Sequence, residues 1–174
     1  MTSEERNIIE GCISKKPLCQ KQLYDKYAAK MFAVCLRYAR SRSDAEDIFQ
    51  DAFIKVFNVI RSFNFIGSFE GWLRKVFVNY ALNYYRSQKM YVEVNEQDNI
   101  TFDMSRFTLE EIVSCINCLP DNQRLVFNSV EIDGFSYDEI AIRMQMPVST
   151  ARVLNFRAKA SLREMLLNKE KFEL

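Results

Sequence analysis

The sequence predicts an all-α protein built from two small helical domains joined by a linker. Three observations carry that expectation. Helix breakers are scarce, with 4 Gly and 3 Pro in 174 residues, which favours long regular elements and short connections. Apolar residues make up 48% of the chain and recur at spacings of three and four, the period of a helix face. Capping boxes, in which a Ser or Thr and a Glu three residues later satisfy each other's backbone, stand at Ser43 with Glu46, Thr108 with Glu111 and Ser136 with Glu139.

The first domain is assigned to residues 5–90. Residues 18–40 place Leu23, Tyr27, Met31, Val34, Cys35 and Tyr38 on one helical face. A second helix opens at the Ser43 box. It turns Ile48, Phe49, Ala52, Val56, Val59 and Ile60 inward and Asp44, Asp47, Gln50, Asp51 and Lys55 outward. The stretch NFIGS interrupts the pattern at Gly67. A long third helix follows, with Trp72, Leu73, Val76, Phe77, Tyr80 and Leu82 as its apolar area. Between Tyr91 and Phe107 the period lapses, and residues 91–107 read as the linker. The second domain, residues 108–170, starts at the Thr108 box. Pro120 ends its first helix, and DNQRLVFNSVEID supplies another.

Residues 134–163 then give two short helices around a tight turn. Ser136 caps the first, Pro147 breaks it at Met146, and Ser149 or Thr150 caps the second. Val153, Phe156, Ala160 and Leu162, with Met165 or Leu166, form the inner stripe. Arg152, Asn155, Lys159 and Arg163 share the opposite face with Arg157 at its edge. This is the layout of a DNA-binding helix-turn-helix. Arg forks onto guanine, Asn onto adenine, and Lys or Arg onto phosphate. The third helix of the first domain mixes Asn79, Asn83, Tyr84, Arg86 and Lys89. Rings that stack, amides that read edges and cations that hold phosphates suit a single strand.

Composition narrows the field. The net charge is only +1, yet residues 1–90 hold 15 Lys and Arg against 9 Asp and Glu, while residues 91–120 hold 1 against 6. A basic first part is therefore hidden by an acidic stretch. The chain has no histidine, no phosphate-binding glycine motif and no nucleophile elbow, so no catalytic residue, metal or cofactor is assigned. Five cysteines include one CxxC, Cys115 and Cys118, read as small buried apolar residues rather than ligands or a redox pair. No segment is apolar enough to insert in a membrane. The first residues, MTSEERNIIEG, do not resemble a secretory signal, so the expected compartment is the cytoplasm.

Four segments, in order, resemble the bacterial extracytoplasmic-function (ECF) group of sigma-70 RNA polymerase sigma factors: DAEDIFQDAFIKVF, GWLRKVFVNYALNYYR, LPDNQRLVFNSVEIDGFSYDEIA and MPVSTARVLNFRAKASLRE. The resemblance covers residues 18–90 and 112–167. It implies a sigma region 2-like bundle and a sigma region 4-like helix-turn-helix. It also implies binding to core RNA polymerase and recognition of promoter DNA, melted at −10 and double-stranded at −35. By that resemblance Asp44, Asp47, Gln50 and Asp51 dock on the polymerase. The loop Asn64, Phe65, Ile66, Gly67 and Ser68 captures a flipped −10 base, with Asn79, Asn83, Tyr84 and Arg86 beside it. Ser149, Thr150, Arg152, Asn155, Arg157 and Lys159 meet the −35 duplex, and Phe156 is either a contact or core. Val153 and Leu154 depart from the small or basic residues common there, which points to a different −35 sequence. An anti-sigma partner, able to hold the protein at the membrane, is implied too. A helix-turn-helix regulator that ignores the polymerase, or a helical adaptor that binds no DNA, remains an alternative.

Overall fold

The computed structural model describes residues 1–87 and 108–172. The linker, residues 91–107, and Lys89 lie outside them. Among the described residues the secondary structure is helical throughout: α1 (Ser3–Ile13), α2 (Pro17–Tyr38), α3 (Arg42–Val59), α4 (Phe69–Ser87), α5 (Leu109–Asn117), α6 (Asp121–Phe127), α7 (Tyr137–Met144) and α8 (Val148–Phe172). A 3₁₀ turn, Ile60–Ser62, follows α3, and a π turn, Asn128–Ile132, follows α6. The chain divides into two compact units, Met1–Tyr84 and Tyr85–Leu174.

In the first unit α1 was not anticipated from the sequence. Thr2 caps it by accepting from the Glu5 N–H. It packs on α2 through Gly11, where an added Cβ would lie 2.2 Å from Cys19 Sγ and 2.8 Å from Cys19 Cβ. The stub of Cys19 cannot swing away, so Gly11→Ala must push the two helices apart. We expect Gly11→Ala to destabilise this unit by about 1–3 kcal/mol, read as a lower thermal midpoint. Tyr27 donates to the Glu5 carboxylate and Lys26 Nζ pairs with it at 3.2 Å, which ties the start of α1 to α2. That hydrogen bond from Tyr27 is the main reason the Glu5 carboxyl titrates below its ordinary range.

The α2 face forms as expected, with all six of its predicted inward residues buried. In α3 the cap is Ser41, not Ser43: its hydroxyl accepts from the Asp44 N–H at 3.0 Å, and the helix begins at Arg42. Phe53 joins the core, and Val59 is only half-buried. In α4 the buried face is Leu73, Phe77, Val78, Ala81, Leu82 and Tyr85, while Trp72, Val76 and Tyr80 are half-buried. Rings of α3 and α4 meet edge to face: Phe49 and Phe53 are 5.0 Å apart, and Phe53 and Phe77 5.1 Å, a geometry that adds to plain burial. Burial also pushes the thiols of Cys12 and Cys35 up, to about 11 and about 12, so they stay protonated at neutral pH.

In the second unit both remaining capping boxes form as expected, at Thr108 with Glu111 and Ser136 with Glu139. The core gathers Cys115, Ile116, Leu119, Phe127, Ala158, Leu162 and Leu166. Cys118 differs from the expectation. It ends α5 and is exposed, so of the CxxC only Cys115 is core. The helix after Pro120 is not uniform, since its second half widens into the π turn.

Candidate polymerase and promoter interfaces

The loop between the 3₁₀ turn and α4 is built by its own polar and strained residues. Asn64 Oδ1 accepts from the Ile66 N–H at 3.1 Å, an Asx turn. Phe65 sits at φ +60° and Gly67 at φ +80°. The left-handed region suits Gly67 but is an outlier for a bulky Phe. Phe65 is held there from two sides, by Phe63 at 5.3 Å and by the Arg6 guanidinium 5.0 Å above its ring. Phe63 also meets Phe69 and Trp72 at 5.1 and 5.7 Å, which accounts for Trp72 as packing. Ser68 then caps α4, accepting from the Gly71 N–H at 3.2 Å. The result projects Ile66, 77% exposed, from a fixed loop.

The polar face of α3 is not uniform either. Asp47 and Gln50 are exposed. Asp51 accepts from the Tyr80 hydroxyl at 2.8 Å, and the half-buried Asp44 lies 3.5 Å from the Tyr84 hydroxyl. Two expected polymerase contacts thus share hydrogen bonds with α4. Burial first, and the Asp51 bond second, push the Tyr80 phenol up to about 12, so it is a neutral donor. On α4, Asn83 and Arg86 are exposed, while Asn79 and Tyr84 are half-buried.

The helix-turn-helix is formed by α7 and α8. Helix α7 stops at Met144, two residues before the point Pro147 suggested. Gln145 takes a left-handed conformation (φ 54°) and its N–H satisfies Ala141 and Ile142 carbonyls, a standard way to close a helix. Helix α8 starts at Val148, with the Pro147 carbonyl accepting from the Ala151 N–H at 3.2 Å. Ser149 and Thr150 therefore lie inside the first turn and do not cap it.

The inner stripe of α8 keeps Val153, Leu162 and Leu166 of the one expected, all buried, but adds Ala151, Leu154, Asn155 and Ala158 in place of Phe156 and Ala160. Asn155 is the clearest correction among the expected −35 contacts. It is 1% exposed, and its Nδ2 donates to Glu131 Oε1 at 2.6 Å and to the Tyr137 hydroxyl at 2.7 Å. Its amide faces the protein, so it is not presented to a base. Thr150 is also buried, at 9% exposed. Lys159 Nζ lies 2.7 Å from the same Glu131 Oε1. Facing outward are Ser149, Arg152 and Arg163, with Phe156, Arg157 and Ala160 half-exposed. Arg152 stacks over the Tyr137 ring at 5.2 Å. Phe156 thus stands one turn from Arg152, half-exposed at the edge of the outward face. Glu131 and Tyr137 had no local signal, because their partners are 24 and 18 residues away.

Residues 23–90 match the family model described as Sigma-70 region 2, and residues 109–162 match that described as Sigma-70, region 4. The ECF RNA polymerase sigma-E factor of Haemophilus influenzae is 32% identical over 165 residues, covering 84% of this chain and 85% of that protein. The chain belongs to the ECF sigma factors. The sigma-E factor of Escherichia coli is 29% identical over 157 residues, covering 79% of this chain and 81% of that one. Two solved structures share the fold of this sigma factor. One is sigma factor RpoE in complex with the anti-sigma factor NepR from Bartonella quintana, with TM-score 0.53, 21% identity, and 84% of this chain and 95% of that chain covered. The other is CnrH in complex with the cytosolic domain of CnrY, with TM-score 0.51, 20% identity, and 93% and 96% covered. As a sigma factor the protein directs core RNA polymerase to promoters and initiates transcription. No helix among the described residues is long and apolar enough to cross a membrane.

Proposed function

We propose a division of labour within this sigma factor. A first domain, residues 5–90, docks the polymerase through α3 and takes the melted −10 strand on the loop of residues 64–68 and the outer face of α4. A second domain, residues 108–170, reads the −35 duplex with α8. Residues 91–107 join them. The chain acts without chemistry of its own, in the cytoplasm. An anti-sigma protein is its regulatory partner, a reading supported by the solved complex of a sigma factor with an anti-sigma factor, and that partner is able to hold it at the membrane.

The observation that carries this reading is the outward face of α8. Ser149, Arg152 and Arg163 stand together there, with Phe156 and Arg157 half-exposed beside them, which supplies forks for guanine or phosphate and an apolar ring for a thymine methyl. On α3, Asp47 and Gln50 are the members of the docking face whose side chains are exposed and free of hydrogen bonds to α4. Asp47→Lys is expected to weaken assembly with core polymerase by at least about tenfold and to leave the thermal midpoint unchanged. Competition binding against a second sigma factor measures this. Unchanged assembly would remove α3 from the docking surface. Promoter binding without any affinity for the polymerase would favour the regulator reading instead.

A further inference from the structure

We propose that Glu131 is a positioning residue that sets the specificity of the −35 interface. It does so by withholding Lys159 and Asn155 from DNA. The proposal rests on the reading of α8 as the −35 helix and adds to it a residue outside both helices of the motif.

Glu131 lies in the π turn, Asn128–Ile132. Such a turn holds one residue more than an α-helical turn and tends to mark functional sites. A single oxygen, Oε1, receives both Asn155 Nδ2 at 2.6 Å and Lys159 Nζ at 2.7 Å. The second Asn155 donor goes to the Tyr137 hydroxyl at 2.7 Å, and the Tyr137 ring lies 5.2 Å beneath the Arg152 guanidinium. One carboxylate therefore connects to Asn155 and Lys159 directly and to Arg152 through Asn155 and Tyr137. Asn155 Oδ1 is buried and has no hydrogen-bond partner among the described residues. That is an unfavourable arrangement for an amide serving packing alone, and it fits one whose two N–H groups are needed to hold Glu131 and Tyr137.

The consequence follows from how proteins bind DNA. Sequence-independent affinity comes from cations that release counterions from phosphates, and each phosphate contact adds about 0.9 to the salt slope. Lys159 paired with Glu131 is a cation already neutralised. Binding to the wrong sequence loses that contact, while Arg152, held over Tyr137, keeps its fork for a base edge. Glu131 thus lowers background affinity and leaves discrimination to the outward face.

The test uses the holoenzyme on duplex promoters with an intact or a scrambled −35 element, across 50–200 mM salt. Glu131→Gln is expected to tighten binding to the scrambled promoter and to steepen its salt slope by about 0.9, so that the gain is about 3.5-fold larger at 50 mM than at 200 mM. Lys159→Met added to it should cancel the change. A residue that only supports the fold would lower the thermal midpoint and weaken both promoters alike, with no steeper slope, and that result would overturn the proposal. Should Glu131→Gln not fold, Lys159→Met alone decides. A withheld lysine removes less than half the slope of one phosphate contact, and loss of the full 0.9 or so sinks the idea. Arg152→Ala separates the two levels. If it leaves discrimination intact, the reading of α8 fails. If it abolishes discrimination while Glu131→Gln changes nothing, only the role of Glu131 fails.

Discussion

Asn155→Asp is expected to unfold the second unit preferentially, at a cost of about 3–5 kcal/mol. The substitution keeps the side chain's size and shape. It replaces both N–H donors by acceptors and sets a carboxylate where the amide now meets Glu131 Oε1 at 2.6 Å. Asn155 itself is 1% exposed, so the new carboxylate is poorly solvated, although Glu131 is exposed and its charge is shared with Lys159 at 2.7 Å. The single tryptophan makes the effect local and measurable. Trp72 sits in the first unit, among Phe63 and Phe69. Its fluorescence midpoint should stay put while the helical signal in circular dichroism loses part of its amplitude at lower temperature. The deficit should shrink on acidification. A buried carboxyl beside another carboxylate has a raised pKa, and once protonated it regains an O–H donor. Coincident, unshifted transitions by both probes would show that the Glu131 network contributes nothing to stability.

The same residue shows what a sequence does and does not reveal. The two helical units were legible because their signals are local. Capping boxes at Thr108 and Ser136, the apolar period of α2 and the break near Pro147 each act within a few residues. The inner face of α8 was legible only in part: Val153, Leu162 and Leu166 are buried as their spacing predicts, and so is Asn155, which was expected outward. Asn155 reads as polar and therefore outward, and its burial is made tolerable by Glu131 and Tyr137, 24 and 18 residues earlier. Phe156 is the converse case: an apolar residue that the sequence leaves as either core or contact, and that is half-exposed beside the Ala151, Ala158 and Leu162 stripe that seats the helix. Small residues at Ala151 and Ala158 allow the close approach, a cue that ranking by hydrophobicity undervalues. The first helix is hidden in the sequence for a similar reason. Its anchor points, Gly11 on Cys19 and Glu5 on Tyr27, are tertiary contacts.

The second large effect is expected at the strained loop, where stability and function should separate. In the double substitution Phe65→Gly with Ile66→Gly, glycine accepts the φ of +60° that Phe65 adopts under strain, a relief on the order of 1 kcal/mol. Against that stand the lost ring contact with Phe63 and the Arg6 cation–π contact, together also about 1–2 kcal/mol. Ile66, largely in solvent, gives up little. The thermal midpoint should therefore move by no more than a few degrees. Promoter opening should fall much further. If the loop receives a base extruded from the −10 duplex, contacts worth about 1–3 kcal/mol per base are what offset unstacking. Removing both apolar side chains should then reduce open complexes by about 10- to 100-fold at saturating polymerase, as read by permanganate reactivity of the −10 thymines. A template already mismatched across −10 should recover most of the loss, because its base no longer has to be extruded. Recovery on that template ties the defect to base capture, whereas equal loss on both templates would place it in assembly, and wild-type opening of the intact duplex would remove the loop from melting altogether.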